Sequence, residues 1–558
     1  MPITKIIIEN FKGIRDRVEI PIRPITLLFG ANSAGKTTVL HALLYLRELL
    51  ERQNADADRV IGGGKDIYLG GFRQLVHGHD ESRTVTVGVE FAVDQDGLEP
   101  YPVSQPLLLQ PADNDEPPDP AWEQGISGVT SATIEVDVAV SRVTGLPEIK
   151  RYRVAINGER IGEIFGDLEM RAILSKLNTR HPIFDAQYSP DAFPADPSDD
   201  RTINPISEAL EFTIEGSQYI GPRAFANLSN KGWIALGHRV IPKWGQALDI
   251  EIDDEPEEGE SINAPFTKFI LSQLMVRPGE LVLEHLRTYR HLGPIRAVPD
   301  LSSIAQRSPS PDRWIDGMAA WDLLSQDAQR GDSFRGHLVG KVDAYLKEQD
   351  RLNLGYSLSS ETVRDIPVDS PLARILERFV IAPDEFEGEA TLKAAYSEML
   401  GRITRSQLQL TDLRREVVVN PCDIGAGVSQ VIPVLVSVLD TSSKITAIEQ
   451  PELHLHPAVQ CALGDLFVRE VNKDADRFFL LESHSEHLLL RLMRRMRETQ
   501  TETEIAQDLA LKPEAITILF VETFEGRSVY REMPLNARGE LVKAWPGGFF
   551  EEGLNELM

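Results

Sequence analysis

The sequence predicts an α/β protein whose main lobe is built from two stretches of chain, separated by a mixed and largely helical segment. Three observations carry this. A glycine-rich loop joins the apolar run Ile25-Thr26-Leu27-Leu28-Phe29 to a stretch with Val39, Leu40, Leu43, Leu46 and Leu50 at helical spacing. Segments of strict alternation follow it, as at Val85, Val87, Val89 and Phe91. After residue 405, short apolar runs of buried-strand type return, separated by helical stretches.

Taken in order, Ile6 to Glu9 and Val18 to Ile22 read as strands around a turn at Lys12-Gly13. Ile134, Val136, Val138 and Val140 alternate, and Tyr152, Val154 and Ile156 run into Asn157-Gly158, a two-residue hairpin signal. These segments predict an antiparallel layer beside the first lobe. Pro111 to Pro120 is rich in proline and acid and reads as a loop. From about 165 to 405 the pattern is helices broken by polar linkers; the clearest linker carries Asp249, Glu251, Asp253, Asp254, Glu255, Glu257, Glu258 and Glu260 and reads as solvated. No sustained heptad or fixed-period repeat is present, which argues against a long coiled-coil arm or a solenoid. Val417 to Val419, Ile445 to Ile448, Phe478 to Leu481 and Ile516 to Val521 read as buried strands. The expected divisions are 1–165 and 406–500 for the two parts of the lobe, 166–405 for the insertion, and 501–558 for an extension completing the sheet.

The chain has 558 residues, so more than one lobe is expected at ~150 residues per domain. Its net charge of −28 argues against an unspecific nucleic-acid or acidic-membrane binder. Cys422 and Cys461 are the only cysteines, which excludes a disulfide scaffold and a cysteine-ligated zinc module. The apolar run Val431 to Leu439 is far shorter than the ~20 residues of a membrane span, and the chain opens on a strand pattern with no charged leader. A cytoplasmic protein with no membrane partner is therefore expected.

Gly30-Ala31-Asn32-Ser33-Ala34-Gly35-Lys36-Thr37 fits G-x-x-x-x-G-K-[ST] in full, between an apolar strand and an amphipathic helix. Such a loop turns backbone N–H groups inward around phosphates, and the helix start adds positive potential. Asn32, Ser33, Ala34 and Gly35 would form the cradle. Lys36 would hold the β- and γ-phosphates, Thr37 a Mg²⁺ ion, and Thr38 would reach the α-phosphate. The cofactors expected are ATP and Mg²⁺. A metal-holding carboxylate is needed at the end of a neighbouring strand, and the stretch Lys444 to Glu449 supplies Glu449.

Glu449-Gln450-Pro451-Glu452-Leu453-His454-Leu455-His456-Pro457 resembles the E-E-P-E-x-H-L-H-P segment of the ABC-class ATPases grouped as the bacterial AAA family, relatives of the overcoming-lysogenization-defect, RecF and SMC head domains. Ile424 to Pro433 resembles their signature loop, and Glu482 to His487 their switch-histidine loop. Tyr289 to Arg296 and Trp545 to Phe550 are similar to a subgroup with an uncharacterised C-terminal extension. The resemblance implies an ABC-type head: a mixed and parallel sheet carrying the phosphate loop, with an antiparallel β layer. It places Glu449 at the metal-binding position, His484 at the γ-phosphate-sensing position, and Gly427, Ser429 and Gln430 in a signature that caps ATP held by a second copy. Gln74 falls near the glutamine that couples the metal to lobe rotation, and Phe11 and Lys12 fall where adenine would be contacted.

Two departures bear on chemistry. Aligned on Gln430, the usual S-G-G-Q has Gly427 in place of serine, leaving Ser429 as the hydroxyl expected to reach across. Gln450 stands where a carboxylate normally activates water; an amide orients water without taking its proton, so slow hydrolysis is expected, with Glu452 or His484 in compensation. The resemblance implies an ATP-sandwiched homodimer acting as a nucleotide-gated switch in anti-phage defence, with a separate nuclease or toxin as effector. The alternatives are a RecF-like DNA-repair ATPase and a scaffold that never hydrolyses. Arg491, Arg494 and Arg495 share one helix face, expected as a solvated face offsetting local acid rather than a DNA strip. His454, His456 and His487 lack metal-ligand spacing.

Overall fold

The computed structural model describes residues 2–57, 69–94, 97–99, 126, 128–166, 171–178, 181–183, 233–237, 239–250, 271–299, 311–329, 337–363, 366, 368–381, 393, 396–397, 405–501 and 505–548. The stretch 111–120, the acidic linker from Glu251 to Glu260 and the final Phe549-Phe550 lie outside them.

The strands are β1 (Ile3–Glu9), β2 (Val18–Pro21), β3 (Ile25–Gly30), β4 (Val85–Ala92), β5 (Ser131–Val140), β6 (Pro147–Ile156), β7 (Glu159–Gly166), β8 (Ala172–Ser175), β9 (Trp233–Leu236), β10 (Asp249–Ile250), β11 (Arg290–Leu292), β12 (Tyr356–Val363), β13 (Arg405–Asp412), β14 (Val417–Val419), β15 (Ile445–Glu449), β16 (Phe478–Glu482), β17 (Ile516–Phe524) and β18 (Arg527–Glu532). The helices are α1 (Lys36–Arg52), α2 (Gly71–Leu75), α3 (Arg277–Arg287), α4 (Met318–Gln329), α5 (His337–Lys347), α6 (Pro371–Ile381), α7 (Ala426–Leu439), α8 (Pro457–Lys473) and α9 (Glu486–Thr501). Among the described residues, no helix is long and apolar enough to cross a membrane.

The sheet that positions the site has the order β11-β15-β16-β3-β17-β18, parallel except for the closing β17–β18 hairpin. β3 lies inside it, flanked by strands from the far end of the chain, and all six of its residues are buried. Burial on both faces explains its near-continuous apolar run. Leu28 points into one core with α1 and the antiparallel layer, while Ile25, Leu27 and Phe29 point into the other with α4, α5, α7, α8 and α9. The antiparallel sheet has the order β10-β9-β8-β7-β6-β5-β4-β1-β2. Its β6–β7 turn is the anticipated Asn157-Gly158, with φ of 50° and 82° at the two residues, the left-handed pair that an I′ turn requires.

The stretch expected as a helical insertion contributes strands to all three sheets. β8 pairs with β7 across the boundary expected at 166, β9 and β10 extend the same sheet, and β11 joins the parallel one. β13 starts at the other expected boundary and pairs with β12 from inside the segment. β8 to β11 have only two to four residues, too few to display a period of two, and the eight-residue β12 is mostly polar (YSLSSETV), so the sequence pattern there reads as linker. Val417 to Val419 do form a strand, but it is an edge, with Val417 46% and Val418 59% exposed. Branched side chains favour extended backbone without fixing burial.

The end of β3 is set by a close approach. Gly30 has φ of 142°, and a Cβ there would stand 2.0 Å from the Val521 carbonyl oxygen on β17. Gly30→Ala is expected to cost roughly 2–4 kcal/mol, read as a drop in the thermal unfolding midpoint of the chain without nucleotide.

Candidate functional site

The loop from Gly30 to Gly35 links a buried strand to a helix and must reverse direction within a few residues. Ser33 and Gly35 take left-handed backbone, φ 62° and 104°, and Gly35 caps the start of α1. The Ala34 N–H donates to the Ala31 carbonyl at 3.3 Å and the Thr38 N–H to the Gly35 carbonyl at 3.1 Å. Asn32 and Ser33 are exposed at the tip, whereas Ala34 and Thr38 are buried. Lys36 is 3% exposed; its Nζ donates to the carbonyls of Gly30 (3.1 Å) and Ala31 (2.9 Å).

The parallel register brings the carboxylates to this loop. Glu449 at the end of β15 pairs with Glu482 at the end of β16, and Glu482 pairs with Leu28 of β3. The Thr37 hydroxyl donates to Glu482 Oε2 at 2.7 Å, and Lys36 Nζ lies 3.7 Å from Glu482 Oε1. His291, on β11, places Nε2 2.7 Å from Glu449 Oε1. Burial dominates the electrostatics. It pushes Lys36 below its ordinary value despite the carboxylates around it, and raises Glu482 despite Thr37 and Lys36. A buried pair in which both members resist their charge is a site that an incoming polyanion and cation would complete.

Glu482 and the Thr37 hydroxyl meet as hard oxygen donors, and Glu449 stands level with Glu482 on the next strand. No cluster of three histidine, cysteine or carboxylate side chains suited to a metal exists among the described residues. That combination fits Mg²⁺, which is held by one or two carboxylates plus substrate phosphates rather than by an all-protein cage.

The turn after β15 completes the wall. The Gln450 N–H donates to the Glu482 carbonyl at 2.7 Å, in left-handed backbone of φ 44°. Glu452 Oε1 accepts the His484 N–H at 2.6 Å, and burial raises its carboxyl. His484 Nε2 is buried without a hydrogen-bond partner; desolvation, with Lys36 nearby, holds the imidazole below its ordinary value. His454 is exposed and His456 caps α8 by accepting the Ala458 N–H, so neither belongs to the site.

The signature segment opens α7 on the far side of this turn. Gly425 and Ala426 are exposed there. Ser429 is 3% exposed and its hydroxyl donates to the Ala426 carbonyl at 3.2 Å, so the hydroxyl expected to reach a second copy is spent inside its own helix. Gln430 is tied to Arg296, donating from Nε2 to its carbonyl at 2.6 Å and accepting its N–H at 3.0 Å. Arg296 in turn donates to the carbonyls of Glu449 (2.7 Å) and Gln450 (3.2 Å). Gly427 packs against the His454 carbonyl. The structure thus brings Lys36, Thr37, Glu449, Glu452 and His484 together, and leaves Gly427, Ser429 and Gln430 bonded away from the phosphate loop of their own chain.

Gln74 is exposed on α2, along a cleft of 650 Å³ that Lys12 also lines. Phe11 is fully buried and stacks on Tyr45, which makes it core. Lys12 Nζ lies 2.5 Å from His41 Nδ1, and burial pushes the ammonium down to about 8. The face of α9 is locally neutralised: Arg491 and Arg495 pair with Asp465 at 2.9 and 2.7 Å, and Arg494 with Glu498 at 2.5 Å.

Glu482, His291 and Arg296 fall inside motifs that the sequence reading singled out without assigning them a role, and the Lys12–His41 contact was not anticipated. Glu482 had a usable signal, a carboxylate closing an apolar strand as Glu449 does, where open α/β sheets place their ligands. The others depend on pairings between distant segments.

Residues 1–124 match the AAA ATPase domain family, and residues 298–491 match the family described as "AAA domain, putative AbiEii toxin, Type IV TA system". Comparison with curated proteins gave no match. Among solved structures, the crystal structure of the SmcHead bound to the C-winged helix domain of ScpA shares 11% identity at a TM-score of 0.38, over 96% of this chain and 99% of that one. The Smc head domain with an extended coiled coil bound to the C-terminal domain of ScpA, derived from Pyrococcus furiosus, shares 12% at 0.36, over 100% and 98%. The SMC head domain from Thermotoga maritima shares 8% at 0.30, over 96% and 100%. The phosphate loop falls in the first matched stretch and Glu449, Glu482 and His484 in the second, and one sheet sets them side by side: two separate stretches of the chain, each similar to an AAA-type ATPase domain, meet at the site.

Proposed function

We propose that the chain is an ATP-gated switch that binds MgATP at the phosphate loop, pairs with a second copy around the nucleotide, and hydrolyses slowly. The observation that carries this reading is the meeting of Lys36 and Thr37 with Glu449 and Glu482 at the ends of adjacent parallel strands. In this reading Lys36 exchanges the Gly30 and Ala31 carbonyls for the β- and γ-phosphates. Thr37, Glu449 and Glu482 would hold Mg²⁺, with His291 keeping Glu449 aimed. When bound, the ion neutralises charge developing on the transferred phosphoryl group. His484 supplies a dry, unpartnered nitrogen beside Lys36, suited to the γ-phosphate, and Glu452 fixes its backbone.

Gln450 sits on the turn that ends β15 and can orient the attacking water, but its amide cannot accept a proton. Slow turnover follows, and with it a long-lived closed state. Pairing is supported by what the start of α7 offers: exposed Gly425 and Ala426 at a helix N-terminus, where backbone N–H groups favour an anion. Beside them Ile295 is 81% exposed, an apolar contact for a facing subunit. These backbone groups replace the Ser429 hydroxyl as the element presented across the interface.

The description of the second family, with its toxin and Type IV TA system, supports a defence setting in which nucleotide state holds or releases a separate effector. A RecF-like grip on DNA gains no support from Arg491, Arg494 and Arg495 of α9, which are paired with Asp465 and Glu498, or from the charge of −28.

Phosphate release from the purified chain with MgATP is expected below ~10 s⁻¹, the median enzyme turnover, and to stop on chelation or in Lys36→Ala; a faster rate, or release insensitive to Lys36→Ala, would refute the reading. Gln450→Glu should raise that rate at least about tenfold, within the ~10²–10⁴ range of a positioned base. Glu482→Gln should lower it by about tenfold or more, and should also lower the unfolding midpoint without nucleotide, because Lys36 loses its buried counter-charge. Light scattering with trapped ATP should give twice the mass found without nucleotide, and Ile295→Glu should return it to the single-copy value.

A further inference from the structure

The phosphate loop is held from outside its own strand–loop–helix unit. Ser528 and Tyr530 stand two residues apart on β18 and share one face of it. Ser528 Oγ donates to the Ala34 carbonyl at 2.7 Å, and Tyr530 Oη donates to the Gly35 carbonyl at 2.7 Å. The Ser528 N–H donates to the Gly13 carbonyl, also at 2.7 Å, which fastens the β1–β2 turn to the same strand. The fit is tight: a Cβ on Gly35 would meet Ser528 Oγ at 2.3 Å. Behind the loop, Trp545 from the C-terminal tail sets its ring edge-on to Phe29 and Phe520, with centroids 5.7 and 6.0 Å apart. Phe29 directly precedes Gly30.

These contacts have a directional consequence. In a planar trans peptide the C=O and N–H point to opposite sides. The Ala34 carbonyl shares its plane with the Gly35 N–H, and the Gly35 carbonyl shares its plane with the Lys36 N–H. Fixing both carbonyls toward β18 therefore aims both N–H groups away from it, toward the concave side of the loop. Buried carbonyls also need donors in any case; beside the local Thr38 N–H on the Gly35 carbonyl, the two side-chain donors come from roughly 490 residues further along the chain.

We propose that β18 is the positioning strand of the phosphate loop: Ser528 and Tyr530 set the two peptide planes whose N–H groups receive the triphosphate, so ATP affinity depends on the C-terminal hairpin. This rests on the reading that the loop binds ATP. Neither residue touches the reacting atoms; both act through the loop backbone.

The test uses the full chain with Ser528→Ala, Tyr530→Phe, their combination, and Val529→Ala, which trims the opposite face of β18. Equilibrium titration with MgATP, turnover at saturating ATP, and the unfolding midpoint without nucleotide are measured for each. Each single hydroxyl deletion should raise the ATP Kd by about three- to tenfold, the size of one net hydrogen bond. The combination should raise it further, with saturated turnover within twofold of the parent. Val529→Ala should lower the midpoint at least as much as either deletion while leaving the Kd within twofold. A doubly substituted chain that binds ATP as the parent does, or a Val529→Ala chain weakened as much as the double variant, would overturn the proposal. A parent chain that binds no ATP would instead overturn the reading of the site, and this proposal with it.

Discussion

A buried ammonium organises this molecule. Lys36 is almost wholly removed from water, and an ion in that position is tolerated only where oxygen atoms surround it. The carbonyls of Gly30 and Ala31 supply part of that shell and Glu482 supplies the counter-charge. For Glu482 to be there, β16 must lie beside β3 in parallel, in the register that sets Glu482 against Leu28. The next strand must then bring Glu449 level with Glu482. The three central strands thus meet around one charge, in the register that surrounds it with oxygen, and the two cores pack on either face of them.

A second knot ties the chemistry to the surface that a partner copy would meet. Arg296 is 2% exposed and spans three segments: it binds the carbonyls of Glu449 and Gln450, and its backbone is clasped by the Gln430 amide. The turn that carries Gln450 and the start of α7 are therefore joined through one guanidinium. Buried arginine bonded mainly to carbonyls has little freedom to reorganise, so a displacement of the 449–450 turn is carried to the helix start. The left-handed backbone at Gln450 makes this turn a tight one, braced by its N–H on the Glu482 carbonyl.

Much of the site was legible in the sequence because its signals are local. The phosphate loop lies between strand and helix within about thirty residues, and Glu449 closes an apolar run. The antiparallel layer announced itself through alternation in β4, β5 and β6 and through Asn157-Gly158. What stayed hidden depends on contacts between distant segments. His291 acquires meaning only beside Glu449, and Arg296 only between Gln430 and the 449–450 turn, whereas Glu482 closes an apolar strand as Glu449 does and its contact with Thr37 confirms what that position offered. Ser429 shows the converse: a polar residue at the expected position whose helix turns its hydroxyl onto its own backbone. Strand–strand recruitment between 166 and 405 was hidden because β8 to β11 are too short for periodicity to show and β12 is mostly polar.

The position of β3 has a consequence for how the chain comes into being. Its neighbours β16 and β17 are made some 450 residues later. At about 5–20 residues per second on the ribosome, this apolar strand waits on the order of 20–90 s for its partners. During that interval the emerging N-terminal portion can complete much of the antiparallel layer but not the sheet that gives the loop its shape. Until β16 and β17 emerge the nascent chain carries β3 as an unpaired apolar strand, and the phosphate loop gains its outer brace only once β18 has been made.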